Sequence, residues 1–313
     1  MFPSRRREGL GEGSSLHLNF TLVSRMQALP RPIPHAGGEH YMPALTGLLT
    51  IMEKAARKAG GKLRRDFGEI EHLQVSQKGP ADFVSKADER AEDTIFRELE
   101  IARPDWGFLM EEGGEIAGAD GKPRFIVDPL DGTSNFLHGI PHFAISIAVQ
   151  DPKPDGSGWG DIFAGLVYNP ITDESFWAER GKGAWLGNRR LRVSARRQLN
   201  EALIATGTPY KGHGDFDEWS KIYNAIGPSV SGIRRFGAAS LDLAWLAAGR
   251  YDGFWESGLS PWDTAAGCLL VREAGGFVTD YRGRSPHIAD VQVLAANDIL
   301  HSKLHKLLVG AIK

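Results

Sequence analysis

Two aspartates three positions apart, Asp128 and Asp131, stand in the segment Asp128-Pro129-Leu130-Asp131-Gly132-Thr133-Ser134-Asn135-Phe136, directly after the apolar run Phe125-Ile126-Val127. Carboxylates gathered at the end of a buried strand suit a hard divalent cation, which prefers oxygen ligands. Residues 124–127 predict a short strand. Pro129 has no N–H to donate, so it is expected to end the ladder and let both aspartates emerge on one tight turn. Gly132 allows close backbone approach to a ligand, and Thr133 and Ser134 offer hydroxyls and free amides at a helix N-terminus, where anions bind. Asp-Pro and Asp-Gly are also ordinary turn pairs, so this segment alone is compatible with a plain turn.

Two further groups of acids raise its significance. Glu111 and Glu112 follow the strand-like Phe108-Leu109-Met110 and precede Gly113-Gly114, a loop able to close over a site or simply to turn. Asp263, in Ser260-Pro261-Trp262-Asp263, opens an apolar helical run and can serve as its N-cap as well as a ligand. The candidate ligands Glu111, Asp128, Asp131 and Asp263 are all oxygen donors, and no His or Cys cluster has metal-ligand spacing, which selects Mg²⁺, or Mn²⁺, over zinc. Magnesium held by a few carboxylates keeps positions open for water and phosphate oxygens, so phosphate-ester hydrolysis is the chemistry that uses these parts. His138 and His142 are then expected to pack or to support rather than to ligate. Clustered carboxylates repel one another when empty, so magnesium is expected to raise the melting temperature.

The same residues, with Trp262-Asp263-Thr264-Ala265-Ala266-Gly267 and Glu273-Ala274-Gly275-Gly276, resemble in order and spacing the motifs of the inositol monophosphatase family. Arg235-Phe236-Gly237-Ala238-Ala239-Ser240-Leu241-Asp242-Leu243 and Tyr251-Asp252-Gly253-Phe254-Trp255-Glu256 resemble its bacterial branch, and the resemblance runs from about Met42 to the C-terminus. It implies a layered α-β-α-β-α sandwich and a magnesium-dependent phosphomonoesterase acting on myo-inositol 1-phosphate. Histidinol phosphate, fructose 1,6-bisphosphate and adenosine 3′,5′-bisphosphate are the alternative substrates. By resemblance, Glu111, Asp128, Asp131 and the Leu130 carbonyl bind one ion, and Asp128, Asp131 and Asp263 bind a second, with two or three ions in all. Lys78-Gly79-Pro80-Ala81-Asp82 and Asp88 match the upstream segment, in which Asp88 orients Thr133 and Thr133 helps activate the attacking water. The Gly132 and Thr133 amides would cradle phosphate, and Asp263 and Glu256 would touch substrate beside the Gly237-Ala238-Ala239 loop. Ala238 stands where some animal members carry threonine, which puts substrate contacts there in question. The resemblance also implies lithium sensitivity, a homodimer, and, as a second reading, a binding role in the transcription machinery.

Composition accommodates this reading. The chain has 313 residues, 42% hydrophobic and 24% charged, with a net charge of −2, so it can bury a sizeable core and has no bulk attraction to nucleic acid or anionic membrane. The single cysteine, Cys268, excludes an internal disulfide, fits a cytoplasmic location, and is expected to be a packed thiol. No apolar run approaches the roughly 20 residues that span a bilayer.

Residues 1–41, with Arg5-Arg6-Arg7 and much Gly, Ser and Pro, read as a disordered extension or the product of a misplaced start, Met26 and Met42 being other starts. Residues 42–195 are expected to form an α+β half carrying the metal site, and residues 196–313 an α/β half completing the pocket. Apolar residues at helical spacing predict helices over 43–67 and from Asp88 to about 99, leading to an antiparallel sheet with strands at 143–149, 161–168 and 174–178. Gly187-Asn188 predicts a hairpin turn before a strand at 191–193. Strands near 202–205, 233–236 and 251–255 then alternate with helices near 216–226, 240–248 and from 263, followed by strands at 277–279 and 291–295 and a helix from Asn297. Trp255 and Trp262 are expected to flank the pocket unless they are core, and Arg234-Arg235 to face substrate, a partner subunit or solvent.

Overall fold

The computed structural model describes residues 45–73, 80–209, 214–285 and 292–313, so the expectation for residues 1–41, and Lys78 and Gly79 of the segment 78–82, lie outside the described residues. Two long helices come first, α1 (Gly47–Leu73) and α2 (Pro80–Ala102). Leu49, Met52, Ala55, Ala56, Ala59 and Leu63 of α1, three or four residues apart, are fully buried, with Ala87, Ala91, Ile95 and Leu99 of α2 in the same cluster. Each large apolar side chain so buried contributes about 1.5–3 kcal/mol. Helix α2 begins eight residues before Asp88, with Pro80 in the first position, where a missing N–H costs nothing. Asp88 therefore lies inside the helix, 2% exposed, and does not open it.

These helices cover one face of a mixed eight-stranded sheet: β1 (Gly107–Met110), β2 (Gly114–Ile116), β3 (Arg124–Asp131), then, after the short helix α3 (Thr133–Leu137), β4 (Ala144–Pro152), β5 (Trp159–Asn169), β6 (Glu174–Glu179), β7 (Gly183–Leu186) and β8 (Arg189–Arg190), in the order β2-β1-β3-β4-β5-β6-β7-β8. The expected all-antiparallel arrangement fails at one place, since β1 and β3 run parallel. The expected strand at 191–193 is not formed. Gly187-Asn188 does make the turn, but it joins β7 to the two-residue β8. Beyond it the Val193 N–H turns away to the Ala274 carbonyl, 3.1 Å.

Strand β3 is buried along its whole length and does not stop at Pro129. Asp128 pairs with Ser146 and Asp131 with Ala144, so three steps on β3 face two on β4. Pro129 sits in this bulge, where its missing N–H removes no ladder bond, and the Leu130 N–H donates to Asp128 Oδ1 at 2.9 Å. A proline that would end a regular strand is here absorbed by the irregularity that displaces the two aspartates.

The second sheet contains β9 (Leu203–Thr206), β10 (Gly232–Arg234), β11 (Gly253–Ser257), β12 (Phe277–Thr279) and β13 (Gln292–Ala296), in the order β10-β9-β11-β13-β12. Strands β9, β10 and β11 are parallel, and β13 runs antiparallel to both its neighbours. Helices α5 (Ala239–Ala247) and α6 (Pro261–Glu273) lie between the sheets, and α4 (Phe216–Ile226) and α7 (Asp298–Ala311) cover the far face, which completes the five-layer α-β-α-β-α sandwich. The middle layer is tight: a Cβ on Gly165 of β5 would come within 3.0 Å of the Ala266 backbone of α6.

Candidate active site

The end of β3, the starts of α3, α5 and α6, and the end of β11 meet at one polar cleft. Asp128, Asp131 and Asp263 each bring one carboxylate oxygen there, all within 4.8 Å of one another. Asp128 is 1% and Asp131 8% exposed. Glu111, on the β1–β2 turn, lines the same pocket and hydrogen-bonds with Asp128. Asp263 is the third residue of α6 and not its N-cap as expected; Ser260 takes that place, and the Asp263 carboxylate accepts the Ser260 N–H at 2.7 Å in a capping box. It thus serves the helix and the cluster together.

Burial dominates the electrostatics of these acids. It pushes Glu111 up to about 7, Asp263 up to about 7 and Asp88 up to about 8, with neighbouring carboxylates adding to each. Asp128 stands well above the usual carboxylate range for the same reasons, and Asp131 is raised by burial despite the donors on it. Carboxyls crowded and dried in this way hold protons near neutral pH, and a cation that replaces those protons relieves the repulsion. An all-oxygen donor set at this spacing fits magnesium or manganese.

Gly132, with φ of 95°, precedes α3, and a Cβ there would lie 3.0 Å from the His142 carbonyl. That left-handed turn opens α3, whose first amides have no intrahelical partners, and Gly132, Thr133 and Ser134 line the cleft. The Thr133 hydroxyl donates to the Leu130 carbonyl at 3.0 Å. It also lies beside Asp88, where it partly offsets the burial of a carboxylate whose Oδ1 has no hydrogen-bond partner. Across the cleft, Glu256 of β11 rests on Gly207, whose Cβ would fall 1.7 Å from Glu256 Oε1. Burial, then the charges of Asp242, Asp263 and Asp131, hold Glu256 well above the usual range. Gly237 and Ala239 line the cleft, whereas Ala238 is 1% exposed and packs into the central core.

Three contributors escaped the sequence reading of the site. Ser240 donates its N–H, at 2.8 Å, and its hydroxyl, at 2.5 Å, to Asp131 Oδ2. Glu92 accepts the Glu112 N–H at 2.9 Å and so anchors the turn that carries Glu111. Its four-residue spacing from Asp88 on α2 was an available signal. Asn135 Nδ2 spans to the His142 carbonyl at 2.7 Å and the Phe236 carbonyl at 2.6 Å, which joins α3 to the loop before α5. Arg235 lines the pocket, as one of its expected placements allowed.

Trp255 and Trp262 do not line it. Trp255 is fully buried under α4, and the Trp262 carbonyl accepts the Ser146 hydroxyl at 3.0 Å. His142 packs against Phe236 and Trp245, and burial lowers its pKa against the opposing charge of Asp131. Cys268 is a packed thiol pushed up to about 11 by burial.

The model of the inositol monophosphatase family matches residues 45–313. An inositol-1-monophosphatase of Mesorhizobium japonicum is 52% identical over 263 residues, covering 84% of this chain and 96% of that protein. The Nus factor SuhB of Pseudomonas aeruginosa is 42% identical over 270 residues, 85% of this chain and 96% of that protein. The crystal structure of the native extragenic suppressor protein suhB from Bartonella henselae superposes with a TM-score of 0.75 at 53% identity, over 84% of this chain and 98% of that one.

Proposed function

Because this chain belongs to the inositol monophosphatase family, we propose that it is a magnesium-dependent phosphatase that hydrolyses myo-inositol 1-phosphate, or a close polyol phosphate, to the free polyol and phosphate. The observation that carries the reading is the convergence of Asp128, Asp131 and Asp263 within 4.8 Å opposite Glu256. Glu111, Asp128, Asp131 and the Leu130 carbonyl would hold one ion, and Asp128, Asp131 and Asp263 a second, with room in the proposal for a third. Magnesium, or manganese in its place, supplies a water of lowered pKa and offsets charge on the departing oxygen.

The chain's own groups do the positioning. The Gly132 and Thr133 amides hold phosphate oxygens at the start of α3. The Thr133 hydroxyl, set between Asp88 and the Leu130 carbonyl, orients the attacking water in line with the scissile bond. Glu256 and Asp263 contact ring hydroxyls, beside the Gly237 to Ala239 loop. A carboxyl at Glu256 favours a hydroxyl-rich neutral ring over a second phosphate. Kinetics on inositol 1-phosphate, histidinol phosphate, fructose 1,6-bisphosphate and adenosine 3′,5′-bisphosphate test the assignment. The highest kcat/KM on inositol 1-phosphate supports it, and preference for a bisphosphate would contradict the role given to Glu256.

A second reading, binding within the transcription machinery, draws support from the relative named a Nus factor. Retention of RNA polymerase and its elongation factors by wild type and Asp131→Asn alike would favour it, and no retention would dismiss it. We further propose a cytoplasmic, lithium-sensitive homodimer. Light scattering on the eluted protein and inhibition by lithium chloride check those properties, and among the described residues no helix is long and apolar enough to cross a membrane.

A further inference from the structure

Helix α5 begins without a cap of its own. Its N-cap residue, Ala238, has no side-chain oxygen to offer the first amides, although the helix is buried nearly throughout and its first residue, Ala239, lines the cleft. The cap comes instead from 109 residues away: Asp131 Oδ2 accepts the Ser240 N–H at 2.8 Å and the Ser240 hydroxyl at 2.5 Å. The Ala239 amide also hydrogen-bonds the Asp131 carboxylate. Asp131 thus belongs to two structures, the acidic cluster and the N-terminus of α5.

We propose that Ser240, buried at 0% exposure, is a positioning residue for the metal cluster: with the α5 amides it fixes the Asp131 carboxylate in the orientation that presents it to the cation. The inference rests on the reading of Asp131 as a metal ligand. A carboxylate on the short stem of an aspartate could otherwise rotate toward or away from its neighbours, and repulsion from Asp128 and Asp263 in the empty site favours rotation away. Three donors on one side oppose that rotation. The hydroxyl adds a bond that an alanine cannot make, and Ser240 has no charge of its own to repel the ion. The amide of residue 240 remains whatever its side chain, so deleting the hydroxyl weakens the hold without removing it.

Calorimetric titration of the metal-free full chain with magnesium chloride, on wild type, Ser240→Ala and Ser240→Thr, tests this. Supporting groups around metal ligands are worth about 10–100-fold in affinity. Ser240→Ala is therefore expected to bind magnesium at least about tenfold more weakly, to need correspondingly more magnesium for half-maximal activity, and to retain kcat when saturated. Ser240→Thr, which keeps the hydroxyl, is expected to titrate like the wild type. A melting curve in chelator accompanies each protein, since a merely structural role would lower the melting temperature and leave the magnesium midpoint in place. An unchanged midpoint in a folded Ser240→Ala overturns the inference alone. A wild type that binds no magnesium overturns the metal-ligand reading together with it.

Discussion

At the scale of single residues, the site is a group of acids kept close enough to need a cation. Burial and mutual repulsion hold Glu111 and Asp263 up at about 7 and Asp88 at about 8. Glu111 and Asp263 are therefore mostly protonated at pH 6 and mostly ionised at pH 8, and metal competes with those protons. Magnesium affinity is expected to rise between pH 6 and 8, with proton release on binding that calorimetry in buffers of different ionisation enthalpy detects. An affinity flat across that range would contradict the protonated cluster. The role proposed for Thr133 is to supply an orienting hydroxyl and no charge. Thr133→Ala is expected to lower kcat about 10²–10⁴-fold, the range for a positioned proton-handling group, with little change in magnesium affinity.

The acids were legible in the sequence because Glu111 and Asp128 follow apolar runs and precede turns, Asp131 stands three positions after Asp128, and Asp263 opens an apolar helical run. Ser240 was not, since nothing in Ala-Ala-Ser-Leu announces a partner 109 positions earlier. Such a bond exists only once two elements have docked.

At the scale of elements, the helix starts do most of the positioning. Gly132 is required twice, by its φ of 95° and by the 3.0 Å that a Cβ would leave to the His142 carbonyl. Gly132→Ala is expected to cost about 1–3 kcal/mol of stability from backbone strain, and to reduce activity by misaiming the α3 amides. Chemical denaturation and kinetics on one preparation would show both losses.

Asp263 separates its duties in another way. Asparagine keeps an oxygen for the Ser260 N–H, so Asp263→Asn is expected to leave the melting temperature in chelator unchanged or raised while activity falls sharply. A lowered melting temperature would mean that the charge stabilises α6 more than it strains the cluster. Periodicity located α4 at 216–226 because its capping aspartate and apolar face coincide. It misplaced the start of α2, which opens at Pro80, and the missing N–H of Pro129 predicted an end to β3 that does not occur, because a bulge is a property of the pairing and not of one strand.

At the scale of the whole molecule, the five layers bring together acids from β3, from the β1–β2 turn and from α6, with Glu256 from the second sheet. Alternating strands and helices foretold an α/β second half with helices covering a sheet, while the five layers were implied by the family resemblance. The resemblance grouped these acids but not the packing that joins them, which depends on the parallel pairing of β1 and β3 and on α5 and α6 filling the space between the sheets.

This arrangement makes stability depend on metal and on pH together. The site carboxyls have raised folded-state pKa values, so between about pH 4 and pH 8 the folded state holds more protons than the unfolded chain, and stability of the metal-free protein is expected to fall as pH rises through that window. On the proposed reading magnesium would bind the ionised cluster, so its stabilising effect should grow over the same range. Melting curves at pH 5, 6.5 and 8 in chelator and in magnesium check the sign. A metal-free protein that grows more stable toward pH 8 would contradict it.

The central claim is that Asp131 belongs to a magnesium cluster that hydrolyses a phosphomonoester, and the most direct test is phosphate release from inositol 1-phosphate by wild type and Asp131→Asn over a magnesium titration. Turnover that is absent in chelator, rises with magnesium in the wild type, and stays lower in the variant by more than the roughly 100-fold that supporting groups alone account for is the predicted result. Release that is indifferent to magnesium, or that survives the substitution, would contradict the account.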